Sequence, residues 1–251
     1  MSHLRPVGKI IAFVCFAATL SIPVARADEA ISRLADGRYL VQVKDATVAL
    51  TEEDPTDTQT GFYVSTPPGT SPFHFYLTDL VRDPERYIPR LRSSERSSVS
   101  VGMTRRHPGE IVGVPVVKGV NRVGIASGVD RGCEAWKSEW ARLREAAVNV
   151  TADQYGWIRR DDTKRSSSTF IKFLDDANRP AGRFYGLSCG FSGGCSVSAC
   201  HDSLTVFINI YSSNKIQGED YSVKDFDQQI ASGIKVLEHM LVNRPVDVSH
   251  P

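Results

Sequence analysis

Few residues in this sequence are arranged for chemistry, and the sharpest candidate is a serine. Gly186-Leu187-Ser188-Cys189-Gly190 matches G-x-S-x-G, the pattern in which a strained strand-to-helix turn lifts a serine hydroxyl beside an oxyanion hole. Strand-like residues precede Ser188. The residues after it, Phe191-Ser192-Gly193-Gly194-Cys195, read as a loop and not as the required helix. A serine nucleophile also needs a base, for which His201 and His107 are the candidates. His201 follows Cys200 directly, and neighbours on a strand point to opposite faces, so these two do not form a cysteine–histidine pair.

Other chemistry-bearing patterns are weaker. Ser212 to Lys215 and Ser232 to Lys235 each satisfy S-x-x-K but lack the accompanying K-T-G. No histidine falls in H-E-x-x-H. Asp161-Asp162 and Asp175-Asp176 are adjacent acids, which turn chemistry explains; glycoside cleavage needs carboxylates set across a cleft. The run Gly190 to Gly194 has no phosphate-loop lysine and reads as a hairpin tip, able to enter a partner's pocket. Neither a metal nor a cofactor is expected.

The first 27 residues read as a signal peptide. Arg5 and Lys9 form a positive start, Ile10 to Leu20 an apolar stretch too short to span a bilayer, and Ala25-Arg26-Ala27 a small-x-small cleavage pattern. Bulky Val14 before Cys15 argues against lipid attachment there. Cleavage leaves residues 28–251, with no transmembrane segment expected and a periplasmic or secreted location. Removing three of the 30 basic residues, against 29 acidic ones, leaves a net charge of −2. That charge does not suit a polyanion-coating protein, so nucleic acid is not an expected partner.

Export places Cys133, Cys189, Cys195 and Cys200 in an oxidising compartment, where two disulfides are expected. Cys189–Cys195 with Cys133–Cys200 is the preferred pairing of three possible ones. Zinc is not expected, because the spacing C-x5-C-x4-C contains no C-x-x-C pair.

Around these residues the text is α+β. Tyr39 to Val43, Thr47 to Leu50, Phe62 to Val64 and Val99 to Met103 alternate as strands. Ile111 to Val117 and Val123 to Ile125, joined around Lys118-Gly119, suggest a β-hairpin or meander. Leu77 to Leu91 suggests short helical turns broken at Pro84 and Pro89. Cys133 to Val148 is an amphipathic helix with Cys133, Trp136, Trp140, Leu143 and Ala147 on one face. Five strand candidates follow between Trp157 and Tyr211, spaced too closely for parallel crossovers. A second amphipathic helix spans residues 223–243, capped by Ser222, with Val223, Phe226, Ile230, Ile234, Leu237 and Leu241 as its stripe. The expected fold is antiparallel sheets packed on two amphipathic helices and stapled by disulfides. It forms either one unit or two apposed lobes, about 28–130 and 131–251.

One charge cluster remains. Arg82, Arg86, Arg90, Arg92, Arg96, Arg105 and Arg106 carry a net +4 after Asp83, Glu85 and Glu95 are counted. Arginine beside Tyr87 is a composition favoured at protein interfaces. With no convergent catalytic or metal set, binding is the expected mode of action. The expected role is that of an exported inhibitor or immunity protein that sterically blocks a toxin or enzyme. The arginine surface or the loop around Phe191 would make the contact. An exported serine hydrolase using Ser188 and His201 is the alternative.

Overall fold

Alternating apolar and small polar residues build most of the structure as antiparallel strands. The computed structural model describes residues 30–52, 58–65, 73–103, 110–111, 114–128, 131–162, 167–175, 182–190, 193–201, 204–211, 223–242 and 245–250. Residues 1–29, over which the signal peptide is expected, and Arg105, Arg106, His107, Phe191 and Ser222 lie outside them, as do the side chains of Cys133 and Trp136.

Strands β1 (Ile31–Arg33), β2 (Tyr39–Val43) and β3 (Ala46–Leu50) form a three-stranded sheet. A nine-stranded sheet is made from β4 (Thr58–Ser65), β5 (Phe73–Tyr76), β6 (Arg96–Met103), β9 (Val120–Gly128), β10 (Ile158–Asp162), β11 (Ser167–Phe173), β12 (Phe184–Cys189), β13 (Gly194–His201) and β14 (Leu204–Tyr211). Its order is β10-β11-β12-β13-β14-β9-β6-β4-β5. The short β7 (Glu110–Ile111) and β8 (Val114–Pro115) pair with each other. Every pairing is antiparallel, as short connections require. The helices are α1 (Leu77–Arg82), α2 (Pro84–Ser93), α3 (Arg131–Ala147) and α4 (Phe226–Met240). The fold is α+β.

The large sheet has two unlike faces. Its inner face carries Phe62, Phe75, Val99, Val123, Val197, Val206 and Ile208, all fully or nearly fully buried. These join one core with Val41, Val48 and Leu50 of the small sheet, Leu80 and Leu91 of α1 and α2, and Phe226 and Leu237 of α4. The outer face holds a second, smaller core beneath α3, made of Trp140, Ala147, Ile158, Ile171, Phe173 and Phe184. Gly186 makes this packing possible: a Cβ there would stand 2.4 Å from the Trp140 ring.

Several expectations are corrected. Of the hairpin or meander expected around Lys118-Gly119, the direct pairing across that turn is not formed: β9 pairs antiparallel with β6 and β14, and β8 with β7. Gly119 instead turns the chain at φ +99°, where a side chain would meet Gln229. The break expected at Pro84 is present: α1 ends at Arg82, and Pro84 opens α2, where its missing N–H costs nothing. Pro89 does not end that helix; Tyr87 and Leu91 hold its inner side in the core. The last helix begins at Phe226 after Asp225, whose side chain makes no capping bond. Its buried surface is wider than the expected stripe and takes in Gln229, Gly233, Val236 and Met240, because the helix packs between β9 and β14 on one side and β3 and β8 on the other.

Cys189 and Cys195 face each other across β12 and β13 and form a disulfide in the main core. Cys200 is also disulfide-bonded. It points to the outer face, where α3 lies. The side chain of its expected partner, Cys133, is outside the described residues. Replacing Cys189 and Cys195 together with alanine should cost about 2 kcal/mol, the chain-entropy value for so short a loop. Urea unfolding of oxidised wild type and the double variant measures it.

Candidate functional site

The arginine segment folds as α1, α2 and the start of β6. Arg86 and Arg90 lie one turn apart on the exposed side of α2, while Tyr87 and Leu91 fix its other side. The Arg90 guanidinium sits 3.9 Å from the Phe73 ring centroid, and that of Arg86 5.4 Å from Tyr87. Stacking of this kind holds a guanidinium in place without satisfying its N–H donors. Arg82 pairs with Asp79 at 2.7 Å. The Arg92 carbonyl accepts a bond from Lys44, and Arg96 is exposed at the head of β6. Tyr87 itself is only 7% exposed, stacked on Phe73 and Phe75. Its ring completes the core beneath the arginines and presents little surface.

The hydrolase residues are not brought together. Ser188 is exposed on the outer face, opposite Thr169 and Ser196. His201 lies five positions beyond Ser196 on β13, hence about 17 Å away, and its odd position turns it to the other face. A hairpin follows Ser188, closed by Gly190 N–H to the Gly194 carbonyl, with Gly193 at φ +83°. Ser188 therefore does not sit on a strand-to-helix elbow. Among the described residues, no group of three or more His, Cys, Asp or Glu could hold a metal, and no helix is long and apolar enough to cross a membrane.

What the residue text did not reveal is a polar row on the outer face. Arg160 stands opposite Thr169, Thr169 opposite Ser188, Ser188 opposite Ser196, Ser196 opposite Asn209, and Asn209 opposite Arg122. Directly opposed residues share a face, so these six side chains form one line across six strands. The line runs beside the α3 core, since Ile158 and Ile171, two positions from Arg160 and Thr169, lie under that helix. Nη1 of Arg160 is buried and makes no hydrogen bond among the described residues. At the other end, Arg122 donates to the Tyr63 hydroxyl at 3.4 Å. Tyr63 lies tilted against His74 at 4.4 Å, and His74 meets Tyr76 edge-on at 4.6 Å.

Glycines let these side chains lie flat. His74 covers Gly61, and Phe207 covers Gly124, where a Cβ would come within 2.6 Å of its ring. Burial holds the His74 pKa below the ordinary histidine value, and the Arg122 charge pushes it further down; Asp79 opposes both. The ring is thus neutral near pH 7. Signals for this row existed as Ser188, Ser196 and Arg160, but only strand order aligns them.

No protein-family model matches the chain, and neither does any curated protein or solved structure.

Proposed function

We propose that the chain is an exported binding protein that covers the working surface of another protein, a toxin or an enzyme, in the periplasm or outside the cell. The observation that carries this reading is the arginine ridge of α2. Arg86 and Arg90 are exposed, one turn apart, and stacked on rings anchored in the core. Held cations of this kind lose little freedom on docking and form charge-assisted bonds to carboxylates of a partner. The cysteine pairing and the leader-like first 27 residues support export. Blocking would be steric and would require no chemistry from Ser188.

A pull-down from periplasmic extract tests this. Wild type should retain an acidic protein partner at micromolar concentration, and Arg86→Glu/Arg90→Glu should lose it while keeping its unfolding midpoint. Absence of any retained protein, or equal retention by the variant, removes the reading.

A further inference from the structure

The outer-face row lies on a different surface from the arginine ridge and is not needed for the proposed protein contact. We infer that it is a binding site for an extended acidic oligosaccharide laid across the strands. The row places an arginine at each end, Arg160 and Arg122, and hydroxyls or an amide at every position between. Six strands at their usual spacing make it about 24 Å long. A peptide recognised by a sheet normally pairs with an edge strand through its backbone. Apart from its Arg160 end on the edge strand β10, this row crosses strands paired on both sides, where N–H and C=O groups are already engaged and only side chains can bind. Its chemistry is regular: donors and acceptors that match sugar hydroxyls, and two guanidinium groups that match carboxylates.

Two further observations point to a ligand of this kind. Arg160 is half-buried, and its enclosed Nη1 lacks a partner among the described residues; a shift of the guanidinium toward a carboxylate on the row would supply the missing bond. At the Arg122 end, the Tyr63, His74 and Tyr76 rings form a low aromatic group on which the C–H face of a sugar ring can stack. None of the six row residues is acidic. Asp79, the carboxylate acting on His74, is already engaged by Arg82 and by the Tyr76 N–H. The charge of the row therefore complements an anionic glycan. Ser188 acquires a role here as a hydrogen-bonding hydroxyl at the centre of the row.

Calorimetric titration of the whole chain with a purified oligogalacturonate pentamer tests the inference, with a neutral maltopentaose as control. Saturable binding to the acidic sugar that weakens with added salt, and weakens by about tenfold or more in both Arg122→Gln and Arg160→Gln, is expected. Arg122→Lys should retain part of it. Unfolding midpoints of the variants within a few degrees of wild type exclude loss through misfolding; if a glutamine variant is unstable, Ser196→Glu, which sets a like charge against the sugar carboxylates, should block binding instead. No binding at millimolar sugar, equal affinity for the neutral control, or unchanged affinity in stable variants overturns the proposal.

Discussion

Replacing Trp140 with alanine should lower the stability of the protein by about 3–5 kcal/mol, the range for truncating a buried tryptophan. The ring is 9% exposed. It packs 6.1 Å from Phe184 and stacks on His250 at 4.9 Å, centroid to centroid. Its edge rests directly on Gly186 of β12. Neighbours cannot refill that space, because Phe184 and Ile171 are anchored on strands paired on both sides or bridged to the chain terminus. The loss separates the two cores: α3 would lose its anchor on the outer face while the main core on the inner face keeps its packing. Denaturant unfolding followed by tryptophan fluorescence and by far-ultraviolet dichroism measures both. A loss below about 1 kcal/mol would show that α3 is not held by this cluster, since even modest core truncations exceed that value.

The second large effect is a loss of stability in acid through His250. This residue bridges to Phe184 by two backbone bonds, Phe184 N–H to the His250 carbonyl at 3.0 Å and the reverse at 2.8 Å. β13 stops pairing with β12 at Leu187, and His250 bridges to Phe184 instead. The His250 ring is 6% exposed between Trp140 and Phe184, and its Nε2 has no hydrogen-bond partner among the described residues. Burial pushes its pKa down to about 4, against the opposing charge of Asp247 and a hydrogen bond to the Ser198 backbone.

An unfolded histidine titrates near 6.5. Between that pH and about 4 the unfolded chain therefore binds a proton that the folded chain does not, so stability falls as pH falls. The full loss is about 3 kcal/mol. His74 and His239 are also shifted down, chiefly by burial, and act in the same sense. The diagnostic quantity is thus a difference. His250→Phe keeps a ring against Trp140 and should flatten this part of the stability–pH curve by about that amount relative to wild type. Parallel curves for the two proteins from pH 7 to pH 4 would contradict the assignment.

The elements differ in how well they could be read. β14 was legible because Leu204, Val206, Ile208 and Ile210 alternate with Phe207 and Tyr211, and the former are buried as that pattern demands. Trp140 and Ala147 face a core from α3 as their spacing implies. The buried face of α4 was read too narrowly, since a helix with sheets on two sides buries Gln229 and Gly233 as well. β5 was not foreseen: four residues, Phe73 to Tyr76, are too few for alternation to stand out against a helix start. The Cys189–Cys195 loop was legible because so short a span between two strand-like runs leaves the ends opposed.

Tyr87 shows why site residues were harder. Its type suits an interface, but its position on the inner side of α2 places it in the core, and only packing reveals that side. Ser188 shows the same limit. Five letters suggested a nucleophile, whereas pairing with β11 and β13 surrounds the serine with Thr169 and Ser196 and leaves His201 on the other face.

By itself, then, the amino-acid sequence determined the periodic elements and the α+β character and favoured the short disulfide over the other pairings, because each depends on residues close together along the chain. The tertiary structure alone decided strand order, and with it the joining of β14 to β9 and the line from Arg160 to Arg122. The physical reason is that register across a sheet is set by burial of whole faces and by backbone pairing between distant segments. Which polar side chains become neighbours follows from those long-range pairings, which no local pattern encodes.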